Sequence, residues 1–212
     1  MKLEAEAIRL SYAQQTILRD VTFSLPSKTR ALLLGPSGSG KSSLLNIICG
    51  LQSPDGGQVT IGGQALGARA DRLRKQHMGI VFQTLRLVSA LDLKSNLLLA
   101  QQLQSGSKDR PLVDETCERL GIAHRMDARP RELSQGEAQR AAIARALVVK
   151  PDILIADEPT SALDQANTQT VAKLLIEASA DAGATLLIAT HDDRLTTYFD
   201  RTLRLENGRI AA

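Results

Sequence analysis

One stretch of this sequence, residues 31–43, constrains the fold more than any other. It begins with an apolar run, continues through the pattern Gly-x-x-x-x-Gly-Lys-Ser, and ends in apolar residues at helical spacing. This order predicts a strand, a phosphate-binding loop and a helix, because glycines admit the backbone close to an anion and successive N–H groups surround it. Lys41 is then expected to contact the β- and γ-phosphates of a nucleoside triphosphate, and Ser42 to bind its Mg²⁺. The residues predicted to hold the nucleotide are Gly35, Pro36, Ser37, Gly38, Ser39, Gly40, Lys41, Ser42 and Ser43.

The rest of the chain alternates strand-like and helix-like patterns. Residues 3–12 and 16–25 alternate apolar and polar side chains, which predicts an antiparallel pair of strands. Segment 84–149 carries apolar residues at helical spacing and no strand-like run, which predicts a helical insert. Strands alternating with helices indicate an α/β fold with a mainly parallel sheet covered on both faces. Buried strands are predicted at 78–82, 151–157 and 184–190.

Size and charge exclude several classes of protein. The chain has 212 residues, enough for one domain with a real core, and a net charge of only +3 from dispersed basic residues, so we expect no nucleic-acid binding. Cys49 and Cys117 show no metal-site spacing, and reduced thiols in a cytoplasmic protein are expected. The sequence has no apolar window of about eighteen residues, so we expect no membrane span of its own and no signal peptide.

Polar residues follow the predicted strands where ligands bind in an open α/β sheet, beyond the carboxyl ends. Gln83, the pair Asp157 and Glu158, and His191 each come after an apolar run, as the phosphate-binding loop does. We therefore expect these groups to gather around one triphosphate. Asp157 would bind Mg²⁺, Gln83 would contact both the metal and a water, and Glu158 would polarise the attacking water. His191 would donate to the γ-phosphate.

Each of these side chains also has a plainer interpretation when taken alone. Asp157 and Glu158 could be a solvated strand exit, and an isolated Gln or His after a strand often has no role. Tyr12, one of two tyrosines, precedes the phosphate-binding loop and is predicted to stack on the base of the nucleotide. Its alternative is simple packing against a neighbouring strand.

Residues 133–140 read Leu-Ser-Gln-Gly-Glu-Ala-Gln-Arg, which closely resembles the signature motif of ATP-binding cassette (ABC) ATPases. The phosphate-binding loop, Gln83, the Asp157 strand, residues 161–164 and His191 follow in the order of that family. The resemblance covers nearly the whole chain. It implies a P-loop NTPase fold over residues 1–212, with a RecA-like mainly parallel sheet, an antiparallel β subdomain and an α-helical subdomain inserted at 84–149.

The resemblance also implies a mechanism that uses ATP and Mg²⁺. Two such domains would associate head to tail, so that Ser134 and Gly136 of one cap the γ-phosphate held by the other. The stretch 161–164, with Asp164, would cross the interface as the D-loop. Gln135 stands where the family usually has glycine, and Ala138 replaces a frequent Gln or Lys; we expect both to tune affinity without changing the mechanism.

Within the family, the compact chain resembles the ATPase subunits of lipoprotein-release, macrolide-export and cell-division systems. Residues 76–83 support this branch, whereas Ser89 and the pair Ser95-Asn96 replace residues usual in it. The branch implies a homodimer bound to an integral membrane permease subunit, on the cytoplasmic face of the inner membrane. The permease would dock near residues 85–93.

Three other functions compete with this interpretation. A soluble ABC-type ATPase acting on DNA would insert a long coiled coil and one acting on ribosomes would carry two cassettes, and neither feature is present. A regulator that binds ATP without turnover tends to lose the residue that Glu158 supplies. An importer ATPase subunit stays open, because the sequence identifies neither the cargo nor the direction of transport.

Overall fold

A computed structural model of the chain describes residues 1–13, 15–160 and 165–211. The described strands are β1 (Leu3–Tyr12), β2 (Gln15–Leu25), β3 (Arg30–Leu34), β4 (Gly56–Ile61), β5 (Gln64–Ala65), β6 (Met78–Val81), β7 (Ile153–Asp157), β8 (Thr185–Thr190), β9 (Arg201–Glu206) and β10 (Arg209–Ala211). The described α-helices are α1 (Lys41–Ile48), α2 (Ala70–His77), α3 (Leu93–Ser105), α4 (Arg110–Arg119), α5 (Gln135–Leu147) and α6 (Gln165–Asp181). None of these helices has the length and apolar character needed to cross a bilayer.

The strands form two sheets. The larger has the order β10-β9-β3-β8-β7-β6, and every neighbouring pair in it is parallel except β9 with β10. Strand β8 is buried along its whole length, as its uninterrupted apolar run predicts for a strand covered on both faces. The smaller sheet, β2-β1-β4-β5, is antiparallel. The predicted α/β fold and the predicted antiparallel pair are both confirmed.

Strand β3 shows how the parallel sheet separates two apolar layers. Ala31 and Leu33 belong to one layer, which also contains Leu44 of α1 and the inner face of the antiparallel sheet. Leu32 and Leu34 belong to the other layer, which α3, α4, α5 and α6 build. Because alternate side chains of a strand point to opposite faces, both layers fix the strand that leads into the phosphate-binding loop.

Between β6 and β7 the chain forms α3, α4 and α5, and this segment, described at every residue, contains no strand. Each of the three helices begins at an N-cap side chain that accepts a hydrogen bond from the backbone: Asp92, Asp109 and Ser134. The helices predicted in 84–149 are therefore present. The caps, and not the apolar spacing, fix the residue at which each helix begins.

Helix α5 packs directly on β6 at Gly79. A Cβ at this position would lie 2.2 Å from the carbonyl oxygen of Ala146 and 3.0 Å from Cγ of Pro151. We expect Gly79→Ala to lower the free energy of unfolding by about 1–3 kcal/mol, because backbone has to move to admit the methyl group. Urea unfolding measures this change. The matched control is Gly136→Ala, whose Cβ would meet only Arg140 at 3.6 Å; equal stability of the two variants would contradict the close packing.

Both cysteines are buried in the apolar layers, Cys49 at 2% and Cys117 at 0% exposure. Burial raises the pKa of the Cys49 thiol to about 12 and that of the Cys117 thiol to about 11. Both thiols therefore stay protonated at neutral pH.

Candidate functional site

A cavity of about 370 Å³ opens where the larger sheet meets the loop between β3 and α1. The loop, Gln83 after β6, Glu158 after β7 and His191 after β8 all contribute to its wall. The structure thus brings together groups that the sequence predicted to converge. The lining residues are Ile17, Ser37, Gly38, Gly40, Lys41, Ser42, Ser43, Gln83, Glu158 and His191.

The loop between β3 and α1 depends on its glycines. Gly38 and Gly40 have φ angles of 80° and 100°, a conformation that residues with a side chain rarely adopt. A Cβ on Gly35 would lie 2.4 Å from the carbonyl oxygen of Leu205 and 2.7 Å from Oγ of Ser39. The backbone can follow this tight path only with glycine at these positions. Pro36 and Ser39 line a second cavity, of about 500 Å³, that shares Ser37 and Gly38 with the first.

Lys41 is 5% exposed and is held inside the loop. Its Nζ donates hydrogen bonds to the carbonyl oxygens of Gly35 at 2.8 Å and Pro36 at 3.1 Å, and lies 3.4 Å from Oε1 of Glu158. Carbonyl and carboxylate oxygens thus surround the ammonium group. Phosphate oxygens carry more charge and can replace them.

Glu158 is held from three sides. Its φ is 45°, in the left-handed region, and its backbone N–H donates to the carbonyl oxygen of Ala189 at 2.9 Å. Its carboxylate lies 3.0 Å from Nδ1 of His191 and ion-pairs with Lys41. A strained backbone at a residue in a cavity is a recurrent feature of functional sites, since the surrounding contacts maintain it. His191, whose side chain is 55% exposed, reaches the cavity from the outside.

Asp157 lies one residue deeper than Glu158 and is mostly buried. Burial raises the pKa of its carboxyl, as does the charge of Glu158, whereas a hydrogen bond from Ser42 and the charge of Lys41 lower it. Its Oδ1 is buried and has no hydrogen-bond partner among the described residues. An unpaired buried carboxylate oxygen beside a serine hydroxyl fits Mg²⁺, which prefers oxygen ligands and binds few protein groups besides substrate phosphates. No described cluster of three or more His, Cys, Asp or Glu could hold a metal on its own.

The buried charge of Asp157 should cost stability at neutral pH. Because its pKa is raised in the folded chain, folding favours the protonated carboxyl, and the cost disappears as pH falls through the folded pKa. We expect Asp157→Asn to raise the melting temperature at neutral pH by about 2–4 °C and to abolish Mg²⁺-dependent ATP turnover. The gain in melting temperature should shrink as pH is lowered. Asp127→Asn, with a side chain 91% exposed, is the control; a lower melting temperature for Asp157→Asn would contradict this account.

Two features of the cavity wall, the presence of Ile17 and the absence of Tyr12, were not predicted from the sequence. Ile17 of β2 lines the cavity, although an apolar residue in an alternating strand carries no signal of such a role. Tyr12 is not among the lining residues; it is 52% exposed, and its hydroxyl pairs with the side-chain amide of Gln52 at 2.8 Å. Base stacking by Tyr12 stays a prediction. Gln83 is exposed and lines the cavity wall, at the start of the loop that follows β6.

The residues of the predicted signature lie at the start of α5. The hydroxyl of Ser134 accepts from the backbone N–H of Glu137, and the Glu137 carboxylate in turn accepts from the backbone N–H of Ser134 at 2.7 Å. The backbone N–H of Ser134 and its hydroxyl both donate to the Glu137 carboxylate, and these two hydrogen bonds lower its pKa. Ser134 and Gln135 are exposed, and neither they nor Gly136 line the cavity of their own chain. Residues 161–164, including Asp164, lie outside the described residues.

The chain is similar to known proteins in family, sequence and fold. A family model described as "ABC transporter" matches residues 18–161. The lipoprotein-releasing system ATP-binding protein LolD of Hydrogenovibrio crunogenus is 38% identical over 200 residues, covering 92% of this chain and 87% of that protein. The uncharacterized ABC transporter ATP-binding protein YbbA of Escherichia coli is 40% identical over 202 residues, covering 92% of this chain and 88% of that protein. A dimeric, post-hydrolysis structure of the ATP-binding cassette MJ0796 with ADP and Pi superimposes with a TM-score of 0.89 at 28% identity, covering 99% of this chain and 97% of that one.

Proposed function

The chain belongs to the ABC transporter family, whose reaction is ATP hydrolysis, and we propose that it works as one half of a head-to-tail ATPase homodimer. In this dimer each copy binds ATP in the cavity beside its own Lys41, and the other copy completes the site with Ser134 and Gly136. The dimer drives an integral membrane permease subunit, and the best-supported branch is lipoprotein release.

The observation that carries this proposal is the separation of the signature from the cavity. Ser134 is exposed and Gly136 is half-buried at the start of α5, and among the described residues the side chain of Ser134 bonds only to Glu137. A Cβ on Gly136 would have room, since the nearest atom lies at 3.6 Å, so packing within the chain gives no reason for a glycine here. A nucleotide brought by a second copy supplies that reason, because a helix N-terminus without a side chain in the way binds phosphate oxygens. The similar cassette MJ0796 is dimeric, which supports a dimer for this chain.

The charged and polar side chains in and beside the cavity have distinct tasks in hydrolysis. Lys41 exchanges its carbonyl partners for the β- and γ-phosphates, and Glu158 accepts a hydrogen bond from the attacking water and orients it. The water oxygen forms a bond to the γ-phosphorus and gives a proton to Glu158, while the bond from that phosphorus to the β–γ bridging oxygen breaks and ADP leaves. His191 donates to the γ-phosphate. Ser42, Asp157 and Gln83 would hold Mg²⁺, which neutralises charge on the phosphate oxygens.

Tyr12 stacks on the base of the nucleotide. Asp164 lies at the interface between the two copies. The permease docks on the segment 85–93, where Leu85 and Leu87 are partly exposed beside Gln83. The ATPase is then peripheral, on the cytoplasmic face of the inner membrane. The name of the LolD relative supports lipoprotein release over the alternatives, which are an importer subunit and a soluble ATPase acting on DNA or ribosomes.

The proposal is tested by co-expression with the membrane protein of the adjacent reading frame. We expect the chain to be retained on an affinity tag of that membrane protein in detergent, and to sediment as a dimer with ATP when turnover is blocked. A chain that stays monomeric with ATP beside this membrane protein would contradict the dimer. Retention on DNA or ribosomes in place of the membrane protein would support the soluble ATPase.

A further inference from the structure

The loop that begins at Gln83 has a backbone that needs support from outside. Leu85 and Arg86 have φ angles of 56° and 49°, and no other two consecutive non-glycine residues of the described chain both have positive φ. Side chains clash with the backbone in this region, so such a conformation persists only where contacts with other elements fix it.

Arg145, near the end of α5, supplies such contacts. Its Nη1 donates to the carbonyl oxygen of Arg86 at 2.5 Å, and its Nη2 donates to the carbonyl oxygen of Ile80 at 3.3 Å. One guanidinium thus joins strand β6 to the strained loop, on both sides of Gln83. Arg145 is half-buried, and its burial lowers the pKa of the guanidinium, an effect to which the charge of Arg86 adds.

Phe82, the residue directly before Gln83, lies within reach of two guanidinium groups. The Cζ of Arg86 is 4.1 Å from the centroid of the ring, and that of Arg145 is 5.9 Å from it. Both distances allow attraction between the cations and the ring. The neighbours of Gln83 are therefore held through one cluster, defined here as Phe82, Arg86 and Arg145.

Helix α5 connects this cluster to the signature. Ser134 caps its first turn, and Arg145 lies eleven residues further along, or about 16 Å at 1.5 Å per residue. Its other end is fixed against β6 by the close contact at Gly79. Helix α5 therefore joins Ser134 to Arg145 through one continuous element whose far end has a fixed position against β6.

We propose that Arg145 is a positioning residue for ATP hydrolysis: it fixes the backbone on both sides of Gln83 and lets α5, which carries Ser134, set where the Gln83 side chain lies in the cavity. The proposal deepens the proposed function and rests on it, since it takes the cavity to be the ATP site. It assigns Arg145 no contact with ATP.

Arg145→Met and Arg145→Lys test the assignment by steady-state ATP turnover. Methionine keeps the bulk and loses both donors, and we expect kcat to fall about tenfold, because small displacements of a reacting group are costly. Lysine keeps the charge but lacks the planar fork that reaches two carbonyls, and we expect a smaller loss. KM for ATP should change by less than about threefold in both variants. Arg119→Met is the matched control, since Arg119 ion-pairs with Asp181 and touches no residue of the cluster.

A double-mutant cycle with Gln83→Ala separates positioning from simple structural support. If Arg145 acts through Gln83, adding Arg145→Met to Gln83→Ala lowers kcat no further. If the two losses multiply, or if Arg119→Met lowers kcat as much as Arg145→Met, the proposal is overturned. Should Arg145→Met fail to fold, Arg145→Lys takes its place in the same cycle.

Wild-type behaviour distinguishes a failure here from a failure of the proposed function. If the wild-type chain shows no ATP turnover, both the proposed function and the assignment of Arg145 are overturned. If the wild-type turnover is normal but the kcat losses of Arg145→Met and Gln83→Ala multiply, only the assignment of Arg145 is overturned.

Discussion

Replacing Glu158 with glutamine is expected to lower ATP turnover by roughly 10²- to 10⁴-fold, the range by which a positioned general base contributes to catalysis. Glutamine has the same shape and can still contact His191, but it cannot accept a proton from the attacking water. The other groups proposed to contact the phosphates, Lys41 among them, stay in place. Binding of ATP should therefore be retained while hydrolysis is lost.

The measurement combines steady-state turnover with sedimentation in the presence of ATP. The Glu158→Gln protein should accumulate as a dimer, because in the proposed mechanism hydrolysis is the step that reopens the closed pair. Glu177→Gln makes the same chemical change on the exposed side of α6 and is the control. Turnover within about tenfold of the wild type would exclude Glu158 as the residue that activates water.

The second large effect is expected from Gly136→Asp. The structure has room for a Cβ at this position, and a carboxylate in the first turn of α5 suits the positive end of the helix, so we expect the single chain to fold about as stably as the wild type. In the proposed dimer the same carboxylate would face the γ-phosphate of the partner's ATP. We expect turnover to fall by at least about a hundredfold, since like charges are brought together away from water.

A mixing experiment makes this prediction specific to a shared site. Lys41→Ala removes the phosphate contact of one copy, and Gly136→Asp spoils the signature of the other. A mixed dimer keeps one site with both halves intact, so in the Glu158→Gln background ATP should assemble mixed dimers although neither protein dimerises alone. If mixing restores no dimer while both proteins remain folded, the sites are not composite.

The strands and their polar ends were predictable from the sequence because they depend on local pattern. Uninterrupted apolar runs predict strands covered on both faces, and the residue at the end of each run falls at one edge of a parallel sheet. By this argument alone, Gln83, Glu158 and His191 are predicted to lie at that edge. Their meeting in one cavity follows from the parallel order of β6, β7 and β8.

Contacts that depend on tertiary geometry were not predictable. Nothing in the periodicity of α5 indicates that Arg145 reaches carbonyl groups 59 and 65 residues earlier in the chain. Ile17 has the same local pattern as its apolar neighbours in β2, yet it lines the cavity. The sequence also predicted Lys41 as a phosphate ligand without showing that loop carbonyls hold its ammonium group. These contacts are set by how elements pack, which a local pattern does not encode.

The low reactivity of the two native thiols makes selective labelling of an introduced cysteine possible. Because Cys49 and Cys117 are buried and protonated at neutral pH, a maleimide label would react with an introduced cysteine and leave both of them untouched. Exposed Ser37 and exposed Gln135 are suitable places for such a cysteine. A bifunctional crosslinker joining the two positions between copies would then record their approach directly, in a background that needs no cysteine removed.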